Sequence, residues 1–259
     1  MGFLNKLFGG SNTNEDERSP GQRAALKNAA YFEKMLQQKD RNIAVDMETR
    51  SDLMKQGRAE PYHDWSVSYD YLQKFSVTYS MGKPIEECYD IFIHAADWFA
   101  NGWEPDSTYA DMLDMVALGY LLQIPDDKFN GIVKVVEQAD AGSDYPEWKP
   151  DAILWFIING KRGGGNQPEA VIWPSLYQYL LDIIRMNKED ATAAMKKYLD
   201  SWYSLHRNDP WYDSHKKDHA YTGYWCWEAG AVSKIMQLDD TAFKDSPYYP
   251  YDLVHWNKS

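Results

Sequence analysis

The sequence predicts an all-α protein, on three observations. Apolar residues recur at steps of three and four along most of the chain, no segment sustains the two-residue alternation of a half-buried strand, and glycine, proline and polar clusters cut the apolar runs into helix-length pieces. At 259 residues, with 44% hydrophobic and 15% aromatic side chains, the chain has enough apolar surface for one large core or two modest ones.

The elements follow in order. "MGFLNKLFGG" is too short for a signal peptide or a membrane span, and Lys6 stands where a myristoylation signal after Gly2 needs Ser or Thr, so residues 1–18 read as a flexible tail. Ser19 followed by Pro20 reads as a capped helix start leading through Leu36. Trp65, Tyr69, Leu72, Phe75 and Tyr79 mark one apolar stripe; after the turn "MGKP", Ile85, Cys88, Phe92, Ala95 and Phe99 mark a second, which makes an antiparallel helical hairpin. Met112, Val116 and Leu121 continue the pattern, and Asp126 and Asp127 open a helix carrying Phe129, Ile132, Val133 and Val136.

"NGKRGGGNQPE" cannot stay helical and joins two helical blocks. Beyond it, Leu176, Leu180 and Ile184, then Met195, Leu199 and Trp202, mark two more helices before the polar aromatic loop "LHRNDPWYDSHKKDH". The expected architecture is two packed helical modules built from antiparallel hairpins, residues 19–148 and 149–259. Residues 117–129, "ALGYLLQIPDDKF", align without a gap on residues 231–243, "AVSKIMQLDDTAF", which suggests related halves or one repeated way of stopping a helix.

Charge narrows the function. The net charge is −12, and residues 104–151 hold 11 acidic against 3 basic groups, two-thirds of the excess. Such a field repels phosphate backbones and steers basic proteins, so direct nucleic-acid binding is disfavoured and a basic protein partner favoured. Only Cys88 and Cys226 are present, which fits two buried free thiols in a reducing cytoplasm.

Catalytic motifs are scarce. "GKRGGGNQ" lacks the order of a phosphate-binding loop and follows no strand, and there is no nucleophile elbow. The loop 206–219 gathers His206, Asp209, His215, Asp218 and His219; His215 and His219 would share a face if the loop were helical, the basis of an alternative as a metal-dependent hydrolase using zinc or manganese. Against it, "HKKDH" lacks the glutamate of a zinc helix, and Lys216 and Lys217 oppose a cation. Glu228, in "YTGYWCWEAGAVSKIMQLDD", is expected on a buried helix among Tyr224, Trp225 and Trp227. A carboxylate there needs donors, and it reads either as a bolt fixing loop 206–221 to the core or as a charged hot spot in an aromatic rim.

The same stretch, followed by "YYPYDLVHW", resembles the C-terminal signature of the PoNi-type immunity proteins, and "YDYLQKFSVTYSMGKPIEECYD" resembles the helical module that precedes it. The resemblance runs from about residue 20 to the end. It implies an all-helical, non-enzymatic, cofactor-free protein in the bacterial cytoplasm that binds and neutralises a PoNe-type DNase toxin delivered between bacteria. Two faces compete for that partner: an acidic one with Asp111, Asp114, Asp126 and Asp127, suited to steering, and the loop with Asp209, Trp211, Asp213 and Asp218 beside Glu228, suited to a hot spot. A helical scaffold for another basic protein is the remaining reading.

Overall fold

The computed structural model describes residues 18–104, 108–142 and 147–258, so the expected tail, with Gly2 and Lys6, lies outside the described residues except for Arg18. These residues form ten α-helices: α1 (Ala29–Lys55), α2 (Pro61–Ser80), α3 (Ile85–Gly102), α4 (Tyr109–Leu121), α5 (Asp126–Ala141), α6 (Ala152–Arg162), α7 (Pro174–Ile184), α8 (Lys188–Leu205), α9 (Trp227–Met236) and α10 (Tyr251–His255). No strand occurs among them, and none of these helices is long and apolar enough to cross a membrane.

The start of α1 differs from the sequence expectation. Ser19–Pro20 opens a turn closed by the Gln22 amide on the Ser19 carbonyl at 3.0 Å, and the helix begins ten residues later, where Asn28 accepts from the Tyr31 amide at 2.9 Å. A proline can enter either a turn or a first helical turn, and here the following Gly21, at φ +81°, selects the turn.

The expected hairpin is present: α2 and α3 pack along their length and α1 covers α2. Its turn needs a glycine, because Gly82 sits at φ +79° and a Cβ there would fall 2.1 Å from the Gly21 carbonyl oxygen. On the other side of the molecule α4 is the central helix, packed on α5, α6 and α9. Met112, Leu113, Met115, Val116, Ala117 and Leu118 are all essentially inaccessible, so α4 is apolar on nearly every face and is enclosed accordingly. One continuous core runs from Phe32 on α1 to Leu253 on α10.

The internal echo has a structural counterpart. Gln123 and Gln237, which the alignment superposes, both adopt left-handed backbone, at φ +50° and +54°. In each case the amide of the glutamine returns to the residue three back, and the next amide returns five back: Ile124 to Gly119 at 3.3 Å, Leu238 to Ser233 at 3.0 Å. The aligned Phe129 and Phe243 are both buried. These two helix ends share one backbone stop, and α4 packs directly against α9.

Candidate functional site

Asp111 lies in the first turn of α4 and Asp114 one turn on, so both carboxylates leave one side of a helix whose remaining surface is core. Beside them α2 carries a ladder of aromatic rings at steps of three and four. Tyr62 tilts against Trp65 with centroids 5.8 Å apart, and Trp65 stacks on Tyr69 at 5.4 Å and 22°. The sequence placed Trp65 and Tyr69 in the same stripe as Leu72, Phe75 and Tyr79. The last three are buried, whereas Tyr69 is 37% and Tyr62 60% exposed, so the stripe surfaces at its N-terminal end.

Electrostatically this region is unbalanced. Asp111 accepts from Thr108 Oγ1 at 2.5 Å and from the Trp65 indole, yet loss of hydration pushes its pKa up to about 6. Asp114 has no hydrogen-bond partner among the described residues; desolvation first, then the charges of Glu228 and Asp111, holds its carboxyl well above the usual range. No basic side chain among the described residues offsets either one. Lys39, 6.0 Å from the Tyr69 ring, is paired with Asp70 at 3.1 Å. Tyr69 itself is raised to about 12 by burial and by Asp111, Asp70 and Asp114.

Glu228 stands behind this pair. It is 4% exposed in the first turn of α9, and its Oε1 accepts from Trp202 Nε1 at 3.0 Å and Tyr198 OH at 3.3 Å. The thiol of Cys226 also meets the carboxylate; its own pKa is driven far up by burial and then by the Glu228 charge. Both aromatic donors belong to α8, so Glu228 ties α9 to α8 and is not a bolt for loop 206–221. The helix is also shorter than expected. It begins at Trp227, and Tyr224, Trp225 and Cys226 approach in extended backbone held by the Cys226 amide on the Tyr248 carbonyl at 2.8 Å.

Tyr177 of α7 marks where the two acidic groups meet. Burial raises its phenol far above the ordinary value, and Glu228, Asp114 and Asp209 add to the effect. Four separate stretches of chain thus bring carboxylates around one ring. Asp209 is half-buried and its Oδ2 lies 2.6 Å from His206 Nδ1; His206 is 4% exposed, and its Nε2 has no partner.

The rest of loop 206–219 is occupied with itself. Trp211 is half-buried and stacks on Trp202 at 5.5 Å and 22°. Asp213, at φ +58°, accepts from Tyr203 OH at 2.9 Å and from Lys216 at 2.6 Å. Asp218 is exposed. The helical pairing of His215 with His219 does not form, because the segment makes only the short turn Ser214–Lys216; His215 Nδ1 instead meets Tyr224 OH at 2.9 Å and His219 is exposed. Among the described residues no three His, Cys, Asp or Glu side chains gather as metal ligands would.

Asp126 and Asp127 lie apart from all of this, in the first turn of α5, where they complement the helix dipole. The Asp126 side chain is 89% exposed and faces Lys161 at 3.4 Å; Asp127 is exposed beside the Lys128–Asp97 ion pair. Sequence reasoning passed over Asp151, fully buried as the cap of α6: it accepts from the amides of Ile153, Leu154 and Ile172 at 2.8, 3.1 and 2.7 Å. An aspartate directly before "AILWFII" was the available signal.

Comparison with known proteins matches two family models: "PoNe immunity protein (PoNi), N-terminal" over residues 23–134 and "PoNe immunity proteins (PoNi), C-terminal" over residues 149–253. Among solved structures, the crystal structure of protein PA2201 from Pseudomonas aeruginosa is similar in fold, with a TM-score of 0.67 at 19% identity over 92% of this chain and 90% of that one. No curated protein matches the chain.

Proposed function

This chain belongs to the PoNe immunity protein family, and on that premise we propose that it disarms its nuclease effector by seating an acidic, aromatic-edged face on the effector's basic surface. It is an immunity protein against a PoNe nuclease effector, a toxin inhibitor and not an enzyme. The observation that carries the reading is the pair of family models, which together span most of the sequence.

The charge supports the mode of binding. A nuclease must present cations to phosphates, so a protein of net charge −12 meets it with favourable long-range attraction and repels the DNA that competes for the same surface. Asp126 and Asp127, exposed and solvated, suit steering; Asp111, Asp114, Asp209 and Trp211, partly enclosed, suit contacts formed on docking, with Asp213 and Asp218 at the loop's outer side. Inhibition takes place in the cytoplasm of the producing bacterium, before the effector reaches DNA.

The test is co-expression with the effector encoded beside the gene. Restored growth, together with a complex that survives purification and weakens steeply with salt, is the expected result. A chain that neither rescues growth nor binds any neighbouring nuclease would remove this reading.

A further inference from the structure

We propose that Asp111 and Asp114, backed by Glu228 and edged by Trp65 and Tyr69, form a receptor for one basic side chain of the effector. The inference rests on the immunity reading and adds where and by what chemistry the partner is held.

Three observations converge on that cleft. The first is the missing countercharge. Asp111, Asp114 and Glu228 come from two helices that pack together, and no basic side chain among the described residues offsets Asp111 or Asp114. Elsewhere the protein pairs its enclosed acids: Asp70 with Lys39 at 3.1 Å, Asp64 with Arg50 at 2.5 Å. A carboxylate withdrawn from water with neither a cation nor a donor is costly, and Asp114 has neither.

The second is the exposed aromatic edge. Tyr62 and Tyr69 are 60% and 37% open to solvent on a helix face that Trp65 completes, directly beside the two carboxylates. Stacked rings next to acids attract a cation through their faces while the acids bind its charge, and the flat guanidinium of an arginine satisfies both at once. The third is the floor. His206, 4% exposed, leaves Nε2 unpartnered against Tyr177, the ring around which Asp114, Glu228 and Asp209 gather, so the free protein keeps unsatisfied polar capacity under the cleft.

A charged side chain from the effector removes the imbalance. Its charge offsets the repulsion between Asp114, Asp111 and Glu228, and its planar or apolar stem covers Tyr69 and Trp65. In the free protein the acids stay poised because the core packing of α4 leaves them no alternative position.

Affinity for the purified effector measured with Asp114→Asn and Asp111→Asn, with Asp126→Asn as control and thermal unfolding followed on each, tests the proposal. The expected result is at least tenfold weaker binding for Asp114→Asn and Asp111→Asn with unfolding temperatures unchanged or raised, and an unchanged affinity for Asp126→Asn. An alanine scan of the effector's Arg and Lys residues should then find one whose loss costs nothing further against Asp114→Asn. Wild-type affinity in both cleft variants, with the wild-type chain binding the effector, overturns the receptor and leaves the immunity reading standing. A wild-type chain that does not bind the effector overturns both.

Discussion

Two acidic pairs lie within 17 residues of each other in the sequence and have opposite surroundings. Asp126 and Asp127 open α5 in water, one facing Lys161 and both stabilised by the helix dipole. Asp111 and Asp114 leave an enclosed helix beside aromatic rings, with no cation and, for Asp114, no donor. The same residue type therefore serves long-range attraction in one place and stores an unfavourable charge in the other. What separates them is dielectric surroundings, not sequence composition.

The contrast can be broken most severely at its buried base. Glu228→Ala strips the acceptor from Trp202 Nε1 and Tyr198 OH, both in the core, and should lower stability by roughly 3 kcal/mol in urea unfolding, about the cost of two buried donors left without partners. A midpoint within error of wild type would mean that the α8–α9 tie is not a stabilising one.

The next effect has the opposite sign. Asp114→Asn removes a desolvated charge and should raise the urea midpoint by about 1 kcal/mol in stability, whereas most core-proximal substitutions destabilise. A fall in the midpoint would show that Asp114 is better solvated than its surroundings imply.

A third prediction uses pH. Asp111 titrates near 6 in the folded chain against 3.8 in the absence of burial, with Thr108, Trp65, Tyr69, Asp114 and Glu228 around it. The folded state then holds a proton more tightly than the unfolded one, so this group's contribution to stability falls as pH rises through that window and is least favourable above it. Asp114 acts in the same direction. Lowering the pH from about 7 to about 5 should therefore stabilise the protein, and the combined Asp111→Asn and Asp114→Asn variant should flatten that dependence. An unchanged slope in the variant would assign the pH effect to other groups.

The smallest change sharpens the comparison from its solvated side. Asp126→Asn with Asp127→Asn should move stability by no more than about 0.5 kcal/mol, since exposed charges contribute little, but should slow association with the effector a few-fold at low salt and not at high salt. Stopped-flow association at two ionic strengths reads it.

Much of the fold was legible because helix formation is written locally. The stripes from Leu72 to Tyr79 and from Ile85 to Phe99 appear as the helices they imply, and the glycine run after Arg162 stops α6 where Gly163 takes a left-handed conformation at φ +77°. Even the aligned Gln123 and Gln237 correspond to one shared helix stop. Errors fell where several local outcomes have similar energy: Ser19–Pro20 made a turn, and Tyr224 to Cys226 stayed extended because the Tyr248 carbonyl, distant in sequence, captures the Cys226 amide.

The site was legible only as a set of candidates. The sequence named Asp111, Asp114, Asp209 and Glu228 among nine residues without grouping them, and it took Tyr69 for a core residue. By itself the sequence determined the helical class, the acidic field, the family signature and the need of a buried Glu228 for donors, because periodicity, charge and polarity are properties of neighbouring residues. The tertiary structure alone decided that the donors come from α8, that Tyr69 reaches solvent, and that two of the acids lose their water without gaining a partner. Desolvation depends on every chain segment that packs around a group, and those segments come from distant parts of the sequence.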